Sequence, residues 1–575
     1  MKSSYLKLFV NALFFCLSFL FIQTTFAQTQ RGPETYWAPL TKRVGQDKTV
    51  SSNRWFPIGW AAEVYWVRGL NNPYGDNDRP ARSNTWADGS VWGLKDLTYS
   101  NHVDTIFLRP HPNYKLRGFP NYREQEYAST IDPVFNSTDS DTNTWKRSYV
   151  RFLDTLDDIH SISPTHDFYG VAHIAAKIPY KIDSVEFPNN TPYWPQWPWD
   201  IFSSVQYPGW FQDGYIKNQP PVPNVPAPNP VDWVNNEYPT MVDTVNTVEN
   251  HSRLAAWSLT DEPYGGGAAQ SLEQGNYVER DAQGNVIKYW PAYPGFKSHI
   301  HNRLVDIKNI IVNNDSNTPR LPIFNDIRSW RNYFNSIDTK NLYLYAPAQA
   351  WLNMLDVTDY LMDNKYPDGY RPNGSWLEAV YKTQSAMDYV VQPSLHGING
   401  YVMWAQGGSL AGSLPTIEEL RYTCYAPWIM GAQGAMFYDL TISDANYYAQ
   451  ASAIQHEAWL MRDALLEPDP NISVHMTASK DVNKARFILR PDPDFSRRYL
   501  LMICNYYFPE PTNSGDPLVP EEQDITITFD NHNIETVYQI NLSYNWSYVL
   551  NGTDSISVGM GSPWARAFWV RLEEK

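Results

Sequence analysis

Two adjacent carboxylates, Asp261 and Glu262, follow the apolar run Leu254-Ala255-Ala256-Trp257-Ser258-Leu259-Thr260 and precede Pro263. A carboxylate at the carboxyl end of a strand, shielded from water, has its pKa raised enough to hold a proton near neutral pH. That is what a general acid needs. Other short stretches also end in groups that bind or move charge: Arg109 and His111, His173 and Lys177, Asp363 and Tyr366, and Trp404 and Gln406. Arginine and lysine neutralise an anionic group, histidine takes a proton, and a tryptophan face suits the apolar C–H surface of a sugar ring. No Cys/His spacing of a zinc site, glycine-rich phosphate cradle, nucleotide fingerprint or serine nucleophile elbow is present, so neither a metal nor a cofactor is expected.

The elements that must position these groups are legible as eight short apolar runs, each followed by a helical pattern. They are 55–60, 104–109, 168–174, 254–259, 321–325, 358–363, 400–404 and 434–438. Continuous apolar strands alternating with helices are what a parallel sheet covered on both faces demands. Eight such units predict an α/β fold, a (β/α)8 TIM barrel, in a domain spanning 28–470. Every group named above then falls at or just beyond a strand's carboxyl end, the face on which such barrels bind substrate. From about residue 472 the texture changes to short alternating strands separated by turns, which predicts a C-terminal antiparallel β-sandwich over 471–575 that packs against the barrel. A proline-rich stretch, 185–240, carries Trp194, Trp197, Trp199, Trp210 and Trp233 between the third and fourth strands. A stiffened loop of that length inside a compact domain is usually functional, and its rings are expected to divide between packing and sugar contact.

With 43% hydrophobic, 15% aromatic and 18% charged residues the 575-residue chain is globular, because a disordered chain needs more charge and fewer rings. Its net charge of −16 disfavours nucleic acid and anionic membrane surfaces as partners. Residues 1–27 show Lys2 and Lys7, an apolar run from Leu8 to Ile22, then Gln23-Thr24-Thr25 and Ala27. That order predicts a signal peptide cleaved between Ala27 and Gln28, hence export to a periplasm or beyond the cell, with no membrane insertion afterwards. The apolar run is short for a bilayer span, and Phe15 stands before Cys16 where lipid attachment would want a small residue. The two remaining cysteines, Cys424 and Cys504, sit among apolar neighbours and read as buried thiols. Nothing in the sequence specifies an oligomeric state.

The segment ending in Thr260-Asp261-Glu262-Pro263 resembles the acid/base strand of (β/α)8-barrel glycoside hydrolases related to clan A. Their fourth strand ends in a polar residue followed by glutamate and often proline. Trp55-Phe56-Pro57-Ile58-Gly59 is similar to their first strand and Met362-Asp363-Asn364-Lys365-Tyr366-Pro367 to their sixth. The run from Glu418-Glu419-Leu420-Arg421-Tyr422 to Gly431-Ala432-Gln433-Gly434 resembles the helix entering their eighth. The likeness implies a carbohydrate-active enzyme hydrolysing a polysaccharide or its oligosaccharides. It makes Glu262 the general acid/base and puts Asp261 at the polar position that commonly touches the sugar's 2-hydroxyl. Trp404, Gln406, Tyr366 and His111 would line sugar subsites.

Retaining hydrolysis needs a second carboxylate as nucleophile. The resemblance puts it at the end of the seventh strand, where this chain has Gln406, and an amide cannot take that role. Asp363 is the best replacement, with Asp326, Asp439 and Glu63 behind it. A carboxylate on a more distant strand leaves room for a water and gives inversion. The absent nucleophile also opens an elimination across C4–C5 of a uronic acid by a lyase or dehydratase, with Arg109, His173, Lys177 and Tyr366 neutralising the sugar carboxylate and moving protons. A third reading is a glycan-binding barrel without turnover, which explains Gln406 directly.

Overall fold

The structure is a computed structural model that describes residues 55–63, 103–109, 153, 156–157, 169–173, 238–259, 278–280, 286–289, 296–317, 320–326, 357–364, 400–406, 416–438, 445–507, 520–540, 547–550, 552–561 and 564–575. The expected leader and residues 185–237 of the aromatic stretch lie outside these. Among the described residues no helix is long and apolar enough to cross a membrane.

Eight strands form one closed sheet. They are β1 (Ile58–Glu63), β2 (Thr105–Arg109), β3 (Tyr169–His173), β4 (Leu254–Ser258), β5 (Ile323–Asp326), β6 (Tyr360–Asn364), β7 (Gly400–Gln406) and β8 (Ala435–Tyr438). Going round the barrel the order is β1-β8-β7-β6-β5-β4-β3-β2, with every pair parallel. Each overlaps one of the eight apolar runs read from the sequence. Four helices are described between or after them: α1 (Tyr238–Val248), α2 (Phe296–Asn314), α3 (Ile417–Ile429) and α4 (Ala445–Leu465). An antiparallel ribbon, Val278–Arg280 with Val286–Tyr289, follows β4.

The strands are apolar throughout because both faces are covered. One buried cluster joins Phe107, Val171, Ala256, Phe324, Tyr360, Met362, Val402, Trp404 and Met436. Tyr169 with Val171, Tyr360 with Met362 and Val402 with Trp404 recur at period two, which marks the barrel's inward phase, while Ala255 joins the same cluster beside Ala256. The alternate phase meets the helices: Trp257, next to Ala256, is fully buried and donates its indole N–H to Asp315 Oδ2 at 2.9 Å, just past the end of α2.

Polar groups pin the amino ends of the strands. Asp104 Oδ1 accepts the Ile58 N–H at 2.9 Å and the Thr105 hydroxyl at 2.6 Å, tying β1 to β2. Asp359 takes Arg320 in a two-pronged ion pair at 2.9 and 3.0 Å and the Ile323 N–H at 2.9 Å, tying β5 to β6. A bidentate arginine–carboxylate pair holds geometry better than a single contact. The first strand also tolerates no side chain at Gly59, where a Cβ would stand 1.7 Å from the Thr105 carbonyl oxygen. The obstacle is backbone, so G59A is expected to lose stability at or beyond the upper end of the about 1–3 kcal/mol typical of overpacking. Denaturant unfolding measures it, and an unchanged midpoint would contradict the close strand approach.

The last helix before β8 begins with a capping box. The Glu419 N–H donates to Thr416 Oγ1 at 3.3 Å, and the Thr416 N–H donates to Glu419 Oε2 at 2.6 Å. From Leu420 to Ile429 every residue is buried, as befits a helix covered on all sides. One side meets the barrel and the other the C-terminal sheets, where Tyr422 stacks edge-on against Tyr506 and Trp564 at 6.1 and 6.3 Å.

Those sheets are antiparallel. The strands are β9 (Val474–Ala478), β10 (Ala485–Pro491), β11 (Arg498–Asn505), β12 (Gln523–Phe529), β13 (His532–Ile540), β14 (Ser547–Leu550), β15 (Ser555–Met560) and β16 (Ala565–Glu574). One sheet runs β9-β12-β15, the other β10-β11-β16-β13-β14. Val474, Met476, Ile525 and Ile527 from the first share a core with Phe487, Leu501, Ile503 and Val570 from the second. The opposite face of the smaller sheet carries His475, Thr477, Asp524, Thr526 and Ser557, all at least partly exposed.

Cys424 lies in α3 and Cys504 in β11; both are free thiols and buried. Burial raises each thiol well above its ordinary range, with the Glu457 carboxylate adding to the effect at Cys424. The thiolate is the nucleophile, so neither cysteine is expected to react with iodoacetamide in the folded protein at pH 8, and both react once it is unfolded. Because the raised values belong to the folded state, these thiols favour folding below about pH 8.5 and lose that contribution as pH climbs above it. Mass spectrometry after native and denatured alkylation checks the first point.

Candidate active site

The eight carboxyl ends form one rim. Going round it in spatial order the final strand residues are Glu63, Tyr438, Gln406, Asn364, Asp326, Ser258, His173 and Arg109. The register sets neighbours side by side: Glu63 pairs with Arg109, His173 with Ser258, Asn364 with Trp404, and Gln406 with Tyr438. Hydrophobic strands thus end together on polar and ionisable residues. Among the described residues no group of three or more His, Cys, Asp or Glu could hold a metal ion.

Beneath that rim lies an aromatic layer. Phe107 meets Trp404 edge-to-face at 5.0 Å and Phe324 at 5.7 Å, Phe324 lies 5.5 Å from Tyr360, and Trp55 reaches Phe324 at 6.3 Å. Such contacts each contribute about 0.5–1.5 kcal/mol beyond burial. Trp404 is only 3% exposed. Burial, reinforced by the Asp359 carboxylate, pushes the Tyr360 phenol well above its ordinary value, so this layer stays uncharged.

Arg109, His173, Asp363 and Gln406 occupy positions at or next to strand ends on this rim, each on a different strand. Asp363 stands one residue before the end of β6, at the opposite parity from Tyr360 and Met362, both of the inner cluster. Glu262 and Asp261 follow β4 by a few residues and lie outside the described residues, as do His111, Lys177, Tyr366 and Asp439. Strand parity, which sorts rim positions into inner and outer phase, is the signal the sequence reading did not use.

No protein-family model and no curated protein matches the sequence. The solved structures similar to the chain are mainly glycoside hydrolases related to clan A, at low TM-score and identity. A Glycoside Hydrolase Family 44 endoglucanase produced by Clostridium acetobutylium is 11% identical, with 95% of this chain and 98% of that chain covered and a TM-score of 0.40. The endo-beta-1,4-mannanase from Thermotoga petrophila is 8% identical over 89% of this chain and 99% of that one, TM-score 0.37. A glucosidase from Croceicoccus marinus is 9% identical over 84% and 92%, TM-score 0.38. Likeness at this level bears on neither substrate nor reaction.

Proposed function

We propose that the chain is an exported glycoside hydrolase that cuts a polysaccharide or its oligosaccharides. In this reading it is a (β/α)8 barrel with a C-terminal β-sandwich, and Glu262 is its general acid/base. The observation that carries the reading is the place of β4 in the closed parallel sheet. The acid pair Asp261-Glu262 follows that strand in sequence after Leu259 and Thr260, at the end where the other strands finish on Glu63, Arg109, His173, Asp326, Asn364 and Gln406. Substrate in parallel barrels binds at that end. A glutamic acid there gives its proton to the departing glycosidic oxygen, and a carboxylate or a water completes the displacement.

A second reading, elimination on a uronic-acid saccharide, is favoured by one observation. Arg109 and His173 are the last residues of neighbouring strands, β2 and β3. One assay separates the readings. The purified mature chain, incubated with neutral and uronate-containing polysaccharides, is expected to release reducing ends without the ultraviolet absorbance of an unsaturated uronate. Absorbance growing with the cut establishes elimination instead, and tight binding with neither signal establishes a glycan-binding barrel. Cell fractionation tests export, with the chain expected outside the cytoplasm and lacking residues 1–27.

A further inference from the structure

We propose that the hairpin joining β10 to β11 carries a second glycan-binding site, apart from the barrel mouth, in which Phe495 stacks on a pyranose ring of a polysaccharide chain. The inference goes beyond the hydrolase reading above and rests on it for the class of ligand.

Exposure opens the argument. Among the described residues the large hydrophobic side chains left exposed are Val312, Leu460 and Phe495, and Phe495 is the most exposed of them, at 54%. A lone apolar residue at a surface is ordinary. Phe495 differs in being held. The Arg498 guanidinium lies 3.7 Å from the centre of its ring and 4.6 Å from the centre of the buried Trp569 ring. Arg498 Nε also donates to Asp492, whose side chain is only 4% exposed. Contact with two rings and an ion pair leave the guanidinium little freedom, and the phenyl ring stacked on it shares that order.

The hairpin backbone is fixed in the same way. The Asp492 N–H donates to the Arg498 carbonyl at 2.9 Å and the Asp494 N–H to Asp492 Oδ1 at 2.9 Å. The Leu572 N–H, from β16, donates to the Arg497 carbonyl at 3.0 Å. A ring already ordered loses little rotamer freedom when a ligand covers its open face.

The surroundings select the ligand. Pro493, Asp494, Ser496 and Arg497, which flank the ring in sequence, are all exposed. One flat apolar face with a carboxylate, a hydroxyl and a guanidinium nearby suits a pyranose, which has an apolar C–H face and hydroxyls at its edge. A protein partner fits poorly, because a stable interface covers roughly 800 Å² on each side around an apolar centre, whereas here a single ring stands among polar neighbours.

Position separates this site from the chemistry. Tyr506, just past the far end of β11, rests on Tyr422 in the first half of α3. That half is the rim side of the helix, since α3 leads from the carboxyl end of β7 to the amino end of β8. The hairpin is at the other end of β11, about 25 Å away at roughly 3.4 Å per residue. Phe495 therefore acts by holding polymer on the protein and takes no part in bond cleavage.

The test uses the full mature chain in native gels cast with hydroxyethylcellulose, galactomannan, xylan or polygalacturonate. At least one polymer is expected to retard the unaltered protein, with F495A binding that polymer about three- to tenfold more weakly and F495W retaining it. With the retarding polymer as substrate, F495A is expected to raise KM by a similar factor at unchanged kcat. Its kinetics on para-nitrophenyl glycosides, too small to reach both sites, are expected to be unaltered. Retardation of F495A equal to that of the unaltered protein, equal losses in F495A and F495W, or a reduced rate of F495A on the small glycosides overturns the site, while polysaccharide cleavage keeps the hydrolase reading standing. Self-association in sedimentation velocity that F495A abolishes, with retardation unchanged, also overturns it and assigns the ring to a second copy of the chain. Neither retardation nor cleavage of any polymer by the unaltered chain overturns both.

Discussion

Exchange of Glu262 for glutamine is expected to lower hydrolysis of an unactivated polysaccharide by about 10²–10⁴-fold with folding unchanged, since the amide keeps the shape and loses the proton. The loss should shrink on dinitrophenyl glycosides, whose leaving group departs as an anion without needing that proton. The contrast matters because a merely structural carboxylate would affect both substrates alike. Initial rates on the two substrates, with circular dichroism as the folding control, measure it. Near-normal rates on polysaccharide, or an equal loss on both, remove Glu262 from the acid role. The strand that precedes it, β4, is buried along its whole length, and Phe107, Phe324 and Trp404 belong to one buried cluster inside the barrel.

The second large effect concerns stability. Arg421 in α3 donates through Nε and Nη2 to Glu457 in α4 at 3.3 and 3.1 Å, and the Tyr425 hydroxyl donates to the same carboxylate. The guanidinium also holds Glu418 at 3.1 Å. Side chains of Arg421 and Glu457 are only 6% and 4% exposed. Burial alone would lower the arginine's pKa, but Glu457, with smaller help from Tyr425 and Glu418, more than offsets this and holds it above its usual value. Burial first, then Glu457, pushes the Tyr425 phenol well up, so it remains a neutral donor. Removing one partner of such a pair strands a buried charge, so E457A is expected to cost about 3–5 kcal/mol. Replacing both, as in R421M with E457L, should recover most of that loss, because two apolar side chains need no desolvation. Urea unfolding of the single and double variants checks this. Equal destabilisation in the two would mean that packing, not the stranded charge, carries the effect.

Much of the barrel was legible because a strand covered on both faces must be apolar throughout, and each of the eight runs contains or overlaps a strand of the closed sheet. That same property hid the parity. Where Trp257 and Ala256 are both buried, the sequence does not say which one faces the interior, so Asp363 ranked ahead of Asp326 with no knowledge of which phase each occupies. Three-dimensional contacts, the Trp257 indole on Asp315 and the Phe324 ring on Phe107, separate the two phases. The C-terminal strands showed their alternation more openly, since one face of each is wet: Val474, Met476, Ile525 and Ile527 are buried between exposed or half-exposed neighbours. Strand β14 is short and lies at the sheet's edge, paired with β13, so its four residues carry little pattern of their own. The buried Arg421–Glu457 pair was equally invisible, its partners being 36 residues apart on separate helices.

The all-round burial of α3 decides where this chain can be cut for laboratory use. Tyr422 rests on Tyr506 and Trp564, both contributed by the C-terminal sheets, while the next strand along the chain is β8 of the barrel. A shortened version stopping near residue 470 would bare that aromatic seam and is expected to precipitate on expression. The two halves are therefore best handled as one cooperative body, with any affinity tag joined at the far carboxyl terminus.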